Sequence, residues 1–162
     1  MKSWKGFTII ETALVIAVAG MIFLMVFIAL PGLRAQQRDT DRREAVTKVI
    51  REIKDYQTNN RGSLPSDWTK FHADYLGGEN FMDPDGTEYA LTTVQCTASK
   101  VDTTCTNDEL EQLVDASFPN NYKMYIVQEA ACSGDKAIKS SNPRKVAVLY
   151  RLERAGTYCE NS

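Results

Sequence analysis

The sequence predicts an α+β protein in which a long N-terminal α-helix, apolar over its first half, packs its second half on a small antiparallel β-sheet. Three observations predict it. Residues 7–30 (FTIIETALVIAVAGMIFLMVFIAL) form a 24-residue run with no Lys, Arg or Asp and a single carboxylate, Glu11. From Arg34 onward, apolar residues recur at helical spacing. After residue 87 they gather into runs of strand length, set off by Gly, Pro and Asn.

Residues 7–30 decide how the remainder is read. As a helix they cover about 36 Å at ~1.5 Å per residue, enough to cross a hydrocarbon core of roughly 30 Å with some tilt. A carboxylate inside that core costs on the order of 3 kcal/mol, which makes Glu11 a functional candidate. The preceding MKSWKG is short and basic and ends in a small residue, Gly6. A secretory signal peptide has its small-residue cleavage site after the apolar region. A cut after Gly6 would instead expose Phe7 as a new N-terminus and keep the helix. Gly20 lowers helical stability by about 1 kcal/mol relative to alanine. Pro31 removes the amide that would bond the Phe27 carbonyl, and Gly32 adds flexibility, so a break or a plain end of the apolar helix is expected there.

Beyond it, Val46, Val49, Ile50, Ile53 and Tyr56 share one side of a helix, with Arg43, Glu44, Lys48, Arg51, Glu52 and Lys54 largely on the others. Such a helix lies against a globular head and ends near Asn59-Asn60, before Gly62 and Pro65. Ser66 is expected to cap a short helix over 67–76, stopped by Gly77-Gly78, with Trp68, Phe71 and Tyr75 facing a core. Asp83-Pro84-Asp85-Gly86 suits a type I turn. Strands are expected over 88–94, 123–129 and 145–152, and 133–143 has the composition of a polar loop. A capping box, Thr106-Asn107-Asp108-Glu109, opens a helix to about Ala116. Alternation in 123–129 sets one strand face on the long helix and leaves the other for solvent or a neighbour.

A net charge of −2 offers no electrostatic ground for direct nucleic-acid binding. Cys96, Cys105, Cys132 and Cys159 lack C-x-x-C spacing and have only His72 for company, so two disulfides outside the cytosol are a simpler reading than zinc. Of the three possible pairings, Cys96–Cys105 and Cys132–Cys159 each close a loop next to a predicted strand. Asp83, Asp85 and Glu88 lack the alternating spacing of a calcium-binding EF-hand loop, and no metal is expected. Arg34, Arg38, Arg42 and Arg43 follow the span and, on the positive-inside rule alone, would set that side in the cytoplasm. The cysteines argue for the opposite orientation. No G-x-S-x-G, H-E-x-x-H or Gly-rich phosphate loop accompanies His72, so neither catalysis nor a cofactor is expected.

Gly6-Phe7-Thr8-Ile9-Ile10-Glu11 resembles the cleavage motif of type IV pilins and of the related pseudopilins of type II secretion. The resemblance implies a dedicated prepilin peptidase that cuts after Gly6 and N-methylates Phe7. Glu11 then becomes the fifth residue of the mature chain and one half of an assembly salt bridge. A pilin-like fold is implied too, with a leader (1–6), a transmembrane and filament-core half-helix (7–33), and the rest of the helix with a globular head (34–162). Gly20 matches a mid-helix glycine usual in the family, whereas Pro31 stands a few residues later than the family's helix-breaking proline. Asp83-Pro84-Asp85-Gly86-Thr87-Glu88-Tyr89 is similar to the Asp-Pro-x-Gly-x-x-Tyr segment of many pseudopilins. Cys132 and Cys159 bound a region resembling the disulfide-bounded surface region of many pilins. The expected function is that of a structural subunit: an inner-membrane precursor, later polymerised into an extracellular surface filament of the kind that serves adhesion or twitching motility. Its partners would be the peptidase, the membrane assembly machinery, the membrane itself before assembly, and copies of itself. A minor pilin or a secretion pseudopilin is the nearest alternative. A membrane-anchored binding domain that never polymerises is a more distant one.

Overall fold

Helix α1 (Ile9–Asn59) accounts for 51 residues of the chain. The computed structural model describes residues 6, 8–77, 81–105, 110 and 122–162. Thr8 caps α1, its Oγ1 accepting from the Glu11 amide at 3.4 Å, and Glu11 supplies the acidic group of the first turn, which suits the helix dipole. The helix runs unbroken through Gly20, Pro31 and Gly32, which corrects the expected break. A proline withholds one amide, and the turns on either side of it hold the helix. α1 ends where Arg61 and Gly62 enter the left-handed region (φ 55° and 81°) and the Gly62 amide returns to the Gln57 carbonyl at 2.7 Å.

The chain divides into two compact units, Met1–Gln37 and Arg38–Ser162. The second carries α2 (Trp68–Tyr75) and six strands: β1 (Ala90–Gln95), β2 (Lys123–Gln128), β3 (Ala130–Ser133), β4 (Lys136–Lys139), β5 (Val146–Arg151) and β6 (Thr157–Asn161). Asp67, not Ser66, caps α2, because its extended backbone brings Oδ1 within 3.0 Å of the Thr69 and Lys70 amides. The main sheet has the order β1-β2-β5-β6. The two pairings made by β5 are antiparallel, whereas β1 runs parallel to β2. The fold is therefore α+β, with the second half of α1 packed on a small, mostly antiparallel sheet.

Both faces of the central strands are buried within the chain, where one face of β2 was expected to be left for solvent or a neighbour. On one face Met124, Ile126, Val146, Val148 and Tyr150 pack with Val46, Val49, Ile50 and Ile53 of α1 and with Phe71 of α2. On the other, Tyr125, Val127, Ala147 and Leu149 pack with Ala130, Ala137 and the Cys96–Cys105 bridge. The cover on that second face includes the β3–β4 hairpin, which occupies much of the expected polar loop. Gly134, at φ 64°, makes the two-residue turn between the hairpin strands. β6 is a further strand that the sequence did not announce. The helix expected over 106–116 lies outside the described residues, apart from the buried Leu110.

Candidate assembly surface and the buried arginine

Among the described residues, sixteen large hydrophobic side chains from Ile9 to Leu33 are exposed, and elsewhere only Met82 and Val101 are. The apolar half of α1 is long and apolar enough to cross a membrane. Glu11 lies exposed in its first turn. Gly6 is exposed with nothing within 4 Å of its missing side chain, and Gly20 likewise leaves open space on the helix. Phe7, the expected site of N-methylation, lies outside the described residues. Chemically this is a surface for hydrocarbon or for other helices. About 25 cal/mol follows from each Å² of apolar surface taken from water, and one carboxylate sits near its end.

The amphipathic half of α1 contains a feature that sequence reasoning missed. Arg42 is 1 % exposed, and Asp39, one turn before it, is also buried. The Arg42 guanidinium grips Asp83 with two bonds, Nε to Oδ2 at 2.7 Å and Nη2 to Oδ1 at 2.9 Å. Its Nη1 donates to Asp39 at 3.1 Å and to Glu153 at 3.2 Å. The Asp39 carboxylate accepts the Glu153 and Arg154 amides at 2.8 and 3.0 Å. Glu153 in turn receives both Nε and Nη2 of Arg38, at 3.0 and 2.7 Å. The Tyr150 hydroxyl donates to Asp83 at 3.2 Å. α1 is thus anchored to the 83–86 turn and to the loop joining β5 to β6.

Electrostatics follow this geometry. Burial alone would lower the Arg42 pKa, but the carboxylates around it outweigh burial and raise it. Burial first, and the Asp83 charge second, push the Tyr89 and Tyr150 hydroxyls above the ordinary phenol range. The Arg38 hydrogen bond holds Glu153 below the usual carboxylate range, against some burial. For Asp85 burial acts upward, and the Tyr122 hydroxyl with the Thr87 amide overcomes it, leaving the carboxyl low. A signal for this cluster was present in the sequence. Arg42 stands one helical turn before Val46, on the line of the apolar stripe, where a charge needs buried partners.

The 83–86 segment is a turn, closed by the Gly86 amide on the Asp83 carbonyl at 2.8 Å. Both Asp83 oxygens serve Arg42, and the described residues hold no group of three ligands suited to a metal ion. Cys96 is bonded to Cys105 and Cys132 to Cys159. His72 stands beside Glu88, with Nδ1 4.0 Å from its carboxylate. Within Arg38–Ser162 the structure does not bring these cysteines and His72 into one site, and Glu11 belongs to the other unit. Comparison with known proteins returns no match, whether to a family model, a curated protein or a solved structure.

Proposed function

We propose that this chain is a type IV pilin-like subunit, cleaved after Gly6 and polymerised through the apolar half of α1. The observation that carries the reading is the Gly6-Phe7-Thr8-Ile9-Ile10-Glu11 motif, which leads in sequence into the capped start of a helix whose large apolar side chains from Ile9 to Leu33 are exposed. Cleavage supplies a positive amine on Phe7. Opposite charges about 4 Å apart attract by roughly 4 kcal/mol at an effective dielectric near 20, which offsets an insertion cost of about 3 kcal/mol for Glu11. If that amine belongs to a neighbouring subunit, Glu11 favours joining a filament over resting alone in lipid. Glu11 acting only on its own helix dipole would contribute about 0.3–1 kcal/mol and leave most of the cost uncovered.

Mass spectrometry of the mature N-terminus tests the reading. N-methyl-Phe7 is expected, and an unprocessed Met1 would favour a membrane-anchored domain that never polymerises. A minor pilin or secretion pseudopilin is a second reading, favoured by the Asp83-Pro84-Asp85-Gly86-Thr87-Glu88-Tyr89 segment. Sheared surface filaments composed mostly of this chain would exclude it.

A further inference from the structure

The β3–β4 hairpin is fixed along its two edges by different means. On the β4 edge the Cys105 amide donates to the Ala137 carbonyl and the Lys139 amide to the Thr103 carbonyl, both at 2.8 Å. The Asp102 amide returns to the Lys139 carbonyl at 3.0 Å, and Thr104 lies opposite Ile138. Residues 102–105 thus line the hairpin like a short third strand, and the Cys96–Cys105 bridge ties them to the residue that follows β1. On the β3 edge the Ala130 amide donates to the Lys145 carbonyl at 3.2 Å and the Cys132 amide to Asn161 Oδ1 at 3.1 Å. The covalent tie on this edge is Cys132–Cys159.

The two bridges differ in access. Cys96 and Cys105 are buried in the cluster that holds Val94, Tyr125, Val127 and Leu149, whereas Cys132 and Cys159 are only half-buried against it. In thiol–disulfide exchange an incoming thiolate must reach a sulfur, so the exposed bridge of a protein is the labile one. We propose that the hairpin is a flap, hinged on residues 102–105 and latched by Cys132–Cys159, and that a protein dithiol opens the latch. One thiolate of the dithiol bonds a latch sulfur, while the other latch sulfur leaves as a thiolate and takes a proton. The partner's second thiol then closes the partner's own disulfide and frees the first sulfur, so two electrons and two protons pass to the latch. With the bridge open, single hydrogen bonds and the packing of Ala130 and Ala137 hold the flap on Tyr125, Val127, Ala147 and Leu149. Lifting the β3 edge uncovers that apolar face.

The test equilibrates the full-length chain in detergent micelles with graded ratios of reduced to oxidised dithiothreitol. Free thiols are trapped with N-ethylmaleimide and mapped by mass spectrometry. Cys132 and Cys159 are expected to open at a ratio at least about tenfold lower than Cys96 and Cys105. Where only the latch is open, amide hydrogen exchange at Ala130 and Cys132 should rise at least about tenfold more than at Cys105 and Lys139. The Cys132→Ser/Cys159→Ser variant should give the same pattern with no reductant present. Opening of both bridges together, or of Cys96–Cys105 first, overturns the proposal. Equal acceleration on the two edges also overturns it, by removing the hinge. Unchanged exchange at Ala130 and Cys132 overturns it too, because the bridge would then be a staple on a hairpin that stays seated without it. Neither measurement depends on cleavage at Gly6 or on polymerisation, so failure here leaves the filament reading intact.

Discussion

Arg42 shows how a single side chain can tie three segments together. Burying a guanidinium costs several kcal/mol, and only well-placed carboxylates offset that cost; here Asp83, Asp39 and Glu153 do so. Arg42→Ala leaves Asp39 and Asp83 buried without their cation, and is expected to lower unfolding free energy by about 3–5 kcal/mol in chemical denaturation. Arg42→Lys should recover little of it, because an ammonium cannot match the two-pronged contact with Asp83; full recovery would show that charge alone suffices. Glu153 gives a pH prediction. Its folded pKa is held down chiefly by Arg38, so its contribution is complete above the unfolded value of about 4.3 and lost as pH falls through the lower folded value. The thermal midpoint should therefore drop in acid below about pH 4, and Glu153→Gln should flatten that limb. An acid limb of the same steepness in the variant would assign the loss to other carboxylates. In the sequence, Arg38 and Arg42 counted only as positive charges following a membrane span. Pairing with residues more than 40 and 110 positions away changes that, and no local pattern announces such partners.

At the scale of elements, periodicity located most of the secondary structure. The stripe Val46, Val49, Ile50 and Ile53 is the buried face of α1, and the apolar runs near 90, 125 and 148 became β1, β2 and β5. The β3–β4 hairpin escaped because each of its strands has four residues, too few for alternation to stand out from a polar loop. The Cys132–Cys159 bridge joins the hairpin to β6. Replacing both cysteines by serine should cost about 3 kcal/mol in the chain-entropy account, and hydrogen exchange should rise first in β3 and β4. Uniform acceleration across the whole sheet would instead mean that the hairpin and the sheet open together.

For the whole molecule, the division of labour lies along α1. Its apolar half offers hydrocarbon-like surface, and its amphipathic half is built into the core of Arg38–Ser162. On the proposed reading, Glu11→Ala leaves the head folded and the chain stable in the membrane while filaments become scarce. Electron microscopy of sheared cells checks this, and normal filament numbers would remove Glu11 from assembly. Because Glu11 and the Arg42 cluster lie in different units, the two variants should separate cleanly: one affects filament yield, the other head stability.

The apolar span, the cleavage-like motif around Gly6, the amphipathic stripe and the strand-length runs are local patterns, each set by the chemistry of neighbours in the chain. They were legible without coordinates and pointed to a membrane-compatible helix joined to an α+β head. The parallel placement of β1, the burial of both faces of β2 and the Arg42 cluster could emerge only on folding. Each depends on contacts between segments far apart in the chain, where packing of the sheet outweighs local propensity.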